Sequence, residues 1–229
     1  MAVWSTVHFS EASANWRFDA EYWKPEFLRN EEYILSSKDK KGLLVSNVYG
    51  LVRRIKGSAF YPSFVENYSD RGMPFLRVAD IGNLFVSDDQ MVRIESDIVH
   101  QYRQIAVVSE GDLVLSKGGS IGEVAVVQEG LGKCALCRDV IAAELDEAKV
   151  SPYYLAAFLK SRFGQLQLDR NKSQAVQPHL TFPAVGVSDA GAERGLSRAR
   201  QENARGSKPA GAIVSFVRAG AVGVFSADV

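Results

Sequence analysis

The stretch LVLSKGGSIGEVAVV, residues 113–127, decides how this chain folds, because its glycine cluster admits two structures. Gly118, Ser120 and Gly122 satisfy G-x-S-x-G, the pattern that lifts a nucleophilic serine onto a sharp elbow in many hydrolases. Such an elbow needs a strand, a tight turn and then a helix, so that the serine stands over the helix N-terminus. Leu113-Val114-Leu115-Ser116 supplies the strand. Glu123-Val124-Ala125-Val126-Val127 does not supply the helix: it is rich in β-branched residues and is followed closely by Gly130 and Gly132. Such a run favours a strand. The stretch therefore predicts a hairpin with Ser120 at its tip, a turn residue rather than a nucleophile. A small serine hydrolase using Ser120, with Asp139 and His179 as partners, is the rival reading; three histidines in the chain offer such a trio by chance.

Outward from the hairpin, Arg138 to Leu145 (RDVIAAEL) reads as a further strand. Residues 151–171 read as one helix, with Ser151 placed to cap it, Pro152 at its first position, and Tyr154, Leu155, Phe158, Leu159 and Phe163 on its apolar face. Upstream, PFLRVADI is a strand into a turn, LFVSDDQMVRI is strand-like with a break at Asp88-Asp89, and DIVHQYRQIAVV holds a short helix. Residues 57–72 form a loop too long for a mere connector, and loops of that length are often functional. LLVSNVYGLV predicts a short second helix. The first helix is expected over Pro25–Ser36, with Phe27, Leu28, Ile34 and Leu35 as its stripe, stopped by Lys38-Asp39-Lys40-Lys41 and Gly42. Residues 1–18 read as a loose lead-in. After about Phe182 the sequence turns rich in Ala, Gly, Arg and Ser and loses periodicity, so 1–182 reads as one domain and 183–229 as a low-order tail.

Composition bounds the function. The chain has 229 residues, 46% hydrophobic and 24% charged, as an ordinary globular protein does. It lacks an apolar run long enough to span a bilayer and a basic-then-apolar leader, so no membrane association is expected and the cytoplasm is the expected compartment. Formal net charge is zero, with 21 Lys+Arg against 23 Asp+Glu over residues 1–180. This disfavours a general polyanion binder and requires any nucleic acid to be met by a local basic surface. Cys134-Ala135-Leu136-Cys137 is a lone C-x-x-C at the start of a strand, without the four ligands of a zinc site or the helix N-terminus of a redox motif, so it reads as two small buried thiols.

Six stretches, in order, resemble the target recognition domain of the specificity subunit of type I restriction–modification systems. They are Arg17-Phe18-Asp19-Ala20-Glu21-Tyr22-Trp23 with Lys24-Pro25; Arg54-Ile55-Lys56-Gly57-Ser58 before the long loop; and Pro74-Phe75-Leu76-Arg77-Val78-Ala79-Asp80-Ile81. They continue with Glu110 to Glu123, which is similar to the family's G-D-[IL]-L-x-S-x-x-G-S-x-G; Val150-Ser151-Pro152-Tyr153-Tyr154-Leu155; and Val176-Gln177-Pro178-His179-Leu180. No single stretch is specific, but their order across about residues 17–182 is.

The resemblance implies an α+β domain, a twisted and mostly antiparallel sheet with flanking helices, that reads one half of a bipartite site in double-stranded DNA. It implies a DNA-binding subunit and no enzyme, which binds no cofactor itself. A modification (methyltransferase) subunit would carry S-adenosylmethionine, and a restriction subunit, where one joins, would work with Mg and ATP. The tail stands where the family has a spacer helix and a second recognition domain, so a half subunit, or a truncation whose last segment is a shifted reading frame, is expected, and a non-functional remnant is a further alternative. Base contacts do not transfer by motif. Chemistry and loop position nominate Lys56, Ser58 and Tyr61 in the first loop, Lys117 and Ser120 in the hairpin, and Arg170, Asn171, Lys172 and Gln174 in the last. Basic side chains suit phosphates and guanine edges, and amides suit adenine edges.

Overall fold

The computed structural model describes residues 4–15, 18–41, 44–47, 51–58, 63, 68–172 and 215–218. Helices α1 (Phe9–Asn15) and α2 (Pro25–Lys41) come first, then strands β1 (Leu44–Asn47), β2 (Val52–Gly57), β3 (Tyr68–Ser69) and β4 (Met73–Leu76). A 3-10 turn at Val78–Asp80 leads to β5 (Arg93–Ile94), α3 (Ser96–Gln101), β6 (Val107–Val108), β7 (Leu113–Ser116), β8 (Val124–Val126), β9 (Cys134–Leu136) and β10 (Val140–Leu145). Helices α4 (Pro152–Lys160) and α5 (Arg162–Arg170) follow, and β11 (Ser215–Arg218) pairs antiparallel with β1.

The class is α+β, as expected, but the strands divide between sheets. One sheet runs β2-β10-β7-β8 and is antiparallel throughout. A second runs β3-β5-β4-β9-β6, antiparallel except for the parallel β4–β9 pair.

Alternation along the central strands explains how these layers stack. Leu113, Leu115, Val124, Val126, Ile141 and Leu145 face a core closed by Leu155, Ala156 and Leu159 of α4 and Leu168 of α5. Their neighbours Val114, Ala125, Val127, Val140 and Ala142 face the opposite way, into a core with Leu76, Val108, Cys134 and Leu136 of the second sheet. Phe75 and Ala135, on the other face of that sheet, pack with Ile94, Ile98 of α3 and Ile105. The four-stranded sheet is thus a middle layer buried on both sides. That is why VIAAEL and LVL read as nearly continuous apolar runs.

Four expectations are corrected. The LLVSNVYGLV segment is mostly strand where described: Leu44–Asn47 forms β1 and Val52 begins β2, with Leu51 in a 3-10 turn before it, so β-branched content prevails over the helical spacing. Helix α2 continues through the charged run to Lys41, because Lys and Asp do not by themselves break a helix, and Leu35 of its expected stripe is 49% exposed. The lead-in holds α1. The single helix expected over 151–171 is two. Ser161, at φ −64 and ψ 161, ends α4 and caps α5: its hydroxyl donates to Phe158 O (2.6 Å) and accepts from the Gly164 N–H (3.4 Å). Among the described residues no helix is long and apolar enough to cross a membrane.

Candidate nucleic-acid interface

Ser120 sits, exposed, in a strand–turn–strand hairpin between β7 and β8. The turn is held from within. The Ser116 hydroxyl donates to Ser120 O (2.5 Å) and accepts from the Glu123 N–H (2.9 Å), while the Gly122 N–H donates to Ser116 O (3.2 Å). Gly119 and Gly122 lie at φ 68 and 95, conformations that suit residues without Cβ. No helix follows Ser120, so the elbow that a serine hydrolase needs is not formed, and its third partner His179 lies outside the described residues.

Three connections meet at this tip. The Lys117 and Gly118 N–H groups both donate to Asp139 O in the β9–β10 turn (2.8 and 3.3 Å), locking that turn against the hairpin. Gly119 lies against Val78 of the 3-10 turn: a Cβ there would stand 4.0 Å from Val78 Cγ1. On the helical side, Gln165 of α5 donates through Nε2 to Gly122 O (3.0 Å). Lys117 is half-buried, and burial holds its ammonium below the usual lysine range, opposed by the nearby Asp139 carboxylate. The 3-10 turn is itself rigid: Arg77 grips Asp80 through Nε and Nη2 (3.1 and 3.0 Å) and donates from Nη2 to Gln90 O (3.0 Å). Beside it an open groove of about 640 Å³ is lined by Tyr68, Ser69, Asp70, Gln90, Met91, Val92 and Arg93.

The other nominated side chains lie elsewhere and are mostly engaged inside the protein. Lys56 on β2 is 14% exposed; its ammonium lies 2.6 Å from Asp112 Oδ2 and 3.6 Å from Glu144 Oε2. Ser58 is buried, donating to Leu136 O (2.7 Å) and accepting from the Ala106 N–H (3.0 Å), so it ties β2 to the second sheet. Arg170 is buried under the N-terminal segment: Nε donates to Tyr22 O (3.1 Å), Nη1 meets Glu31 Oε2 (2.8 Å), and the guanidinium lies over the Tyr22 ring at 4.2 Å. Asn171 is buried with Nδ2 on Gln167 O (2.7 Å), and Lys172 pairs with Asp169 (2.5 Å). Tyr61 and Gln174 lie outside the described residues.

Of the nominated set, then, the structure brings together Lys117 and Ser120. It adds Arg138 and Asp139, which sequence reasoning did not nominate as DNA contacts. The signal was present in a turn dipeptide between two strands, but nothing local says that this turn abuts the hairpin. The C-x-x-C pair is chemically quiet: burial pushes the Cys134 thiol up to about 11 and raises Cys137 as well, opposite to the shift a reactive thiolate needs. Among the described residues no group of three His, Cys, Asp or Glu side chains is placed to hold a metal ion.

No family model matches the chain, and no curated protein matches it. Solved structures do. The HsdS subunit from Thermoanaerobacter tengcongensis matches 79% of this chain and 44% of its own, at 15% identity and a TM-score of 0.41. A chain from the structural account of complex assembly and conformational transition of the type I R-M system matches 79% of this chain and 45% of its own, at 15% identity and a TM-score of 0.43. The S subunit of a type I restriction–modification system from M. genitalium matches 61% of this chain and 31% of its own, at 10% identity and a TM-score of 0.39. This chain spans less than half the length of each.

Proposed function

We propose that this chain is a reader of double-stranded DNA sequence that serves a type I restriction–modification methyltransferase and performs no catalysis itself. One observation carries the reading. The stretches that resemble the recognition domain are far apart in sequence, yet Arg54–Gly57, Pro74–Asp80, Leu113–Glu123 and the start of α4 converge on shared cores, and the hairpin tip within Leu113–Glu123 meets the 3-10 turn that ends Pro74–Asp80 in one loop cluster. That cluster has what duplex recognition needs. It combines a glycine turn that lets backbone approach closely, a lysine, an arginine and a carboxylate on a rigid support.

In this reading phosphate contacts position the domain and the loop side chains read base edges. S-adenosylmethionine belongs to the modification subunit; a restriction subunit, where one joins, brings Mg- and ATP-dependent cleavage. The half-site role, the tail in place of a spacer over 183–229, and a cytoplasmic location follow from the same resemblance.

The test is selection of bound duplexes from a random pool at moderate salt, with the chain alone and with its modification subunit. Enrichment of a short motif in either condition is the expected result. A chain that enriches nothing, in both conditions, is a folded remnant and the reading fails.

A further inference from the structure

Asp139 is the aspartate that a nucleophilic Ser120 would require, a role the hairpin geometry removes. Its carboxylate therefore needs another explanation. The side chain folds back over the hairpin: a Cβ on Gly118 would stand 2.7 Å from Asp139 Oδ1 and 3.3 Å from its Cβ and Cγ, so glycine at 118 makes room for it. Its main chain is fixed there by the two N–H donors of Lys117 and Gly118. The carboxylate itself is lightly engaged. Arg138 Nε approaches Oδ2 only to 3.9 Å, beyond hydrogen-bond range, with the two side chains 57% and 45% exposed. Other aspartates in the fold are gripped closely: Asp80 by Arg77 at 3.0 Å, Asp112 by Lys56 at 2.6 Å, Asp146 by Arg53 at 2.9 Å. Asp139 is thus a rigidly based acceptor beside the glycines of the hairpin tip, with a guanidinium next to it.

On a surface meant for a polyanion, a carboxylate repels phosphate and is tolerated where it accepts a proton donor from a base. In the major groove a C·G pair presents the cytosine N4 amino donor beside the guanine O6 and N7 acceptors. An adjacent carboxylate and guanidinium are the complement of that pair: acceptor to N4, fork to O6 and N7. Adenine N6 is a poorer match, because the neighbouring N7 is an acceptor and calls for an amide. We infer that Asp139 and Arg138 read one C·G base pair in the major groove. This rests on the DNA-recognition reading above.

The experiment compares the wild-type chain with Asp139→Asn and Arg138→Ala in the same duplex selection, followed by binding titrations over a salt series. Wild-type protein is expected to enrich C·G at one position. Asp139→Asn is expected to lose about tenfold or more in discrimination at that position alone, with the other positions and the salt slope kept. Arg138→Ala is expected to relax the same position. Circular dichroism melts establish that both variants fold. A wild-type motif that Asp139→Asn leaves unchanged, or weakens equally at all positions, overturns this inference and spares the functional reading. A wild-type chain that enriches nothing overturns both.

Discussion

Two lysines of similar promise in the sequence are placed in opposite circumstances, and the difference is measurable. Lys56 spends its ammonium on Asp112, whose side chain is 4% exposed and also accepts the Ser109 N–H (2.7 Å). Removing one partner of a buried pair leaves the other uncompensated, at a cost of about 3 kcal/mol. Lys56→Ala is therefore expected to lower stability by about that much in urea unfolding, while leaving the salt dependence of DNA binding alone. A stable variant with a smaller salt slope would make Lys56 a phosphate contact instead. Lys117 is the converse case. Burial lowers its proton affinity below the ordinary lysine value of 10.5, so between the depressed folded value and 10.5 the unfolded chain binds more protons. Stability then rises with pH across that window. The charged lysine costs stability at neutral pH, and the cost fades as pH climbs towards 10.5. Lys117→Met is accordingly expected to be the more stable protein at neutral pH, with the gap closing on the alkaline side. Denaturant curves at stepped pH measure it, and a gap that does not change with pH removes burial as the cause. In the DNA titration the same variant should reduce the salt slope by about one if the ammonium meets a phosphate.

At the level of elements, the sequence disclosed those built by local rules. Glycines between β-branched runs make the β7–β8 hairpin, and Ser151-Pro152 starts α4 at the expected place, with Ser151 at the N-cap position although its side chain makes no capping hydrogen bond. It did not disclose the break at Ser161, because Phe158, Leu159 and Phe163 keep helical spacing straight through it. The cause is close packing. A Cβ on Gly164 would lie 2.3 Å from Phe158 O and 2.4 Å from Leu159 Cα, so α5 starts hard against the last turn of α4. Those neighbours are backbone and cannot swing away. Gly164→Ala is expected to cost about 3 kcal/mol and to lower the melting temperature sharply. Gly118→Ala meets side-chain atoms of Asp139 alone, Oδ1 at 2.7 Å and Cβ and Cγ at 3.3 Å, and no backbone, so it should cost less stability, yet it displaces that carboxylate. Melting curves and duplex selection on the two variants separate the effects: a stability defect for the first, a change of base preference for the second. Equal stability losses would mean that the hairpin tip is packed as tightly as the helix junction.

For the whole molecule, the decisive contacts join segments that sequence reading treats separately. Arg170-Asn171-Lys172 looked like a loop of base readers, because a basic and amide-rich run after a helix carries no mark of burial. What buries Arg170 is a segment 148 residues away, whose Tyr22 carbonyl and ring and Glu31 carboxylate enclose the guanidinium. The pairing of β1 with β11 is likewise invisible locally, since it joins Leu44–Asn47 to four residues of the stretch expected to be low-order tail. Arg170 thus clasps the N-terminal segment and α2 onto α5, and α5 in turn holds the hairpin through Gln165. Lysine cannot replace it, having neither the fork for two partners at once nor the planar face for the ring. Arg170→Lys is therefore expected to lose about 2–4 kcal/mol and to expose residues near Tyr22 to limited proteolysis before the sheets unfold. Because the clasp is enclosed by Tyr22 and Glu31 and lies outside the proposed interface, any loss of DNA affinity should fall equally on every sequence, with the salt slope unchanged. A variant of normal protease resistance whose salt slope drops by about one would return Arg170 to the DNA surface and undo the division between scaffold and reader.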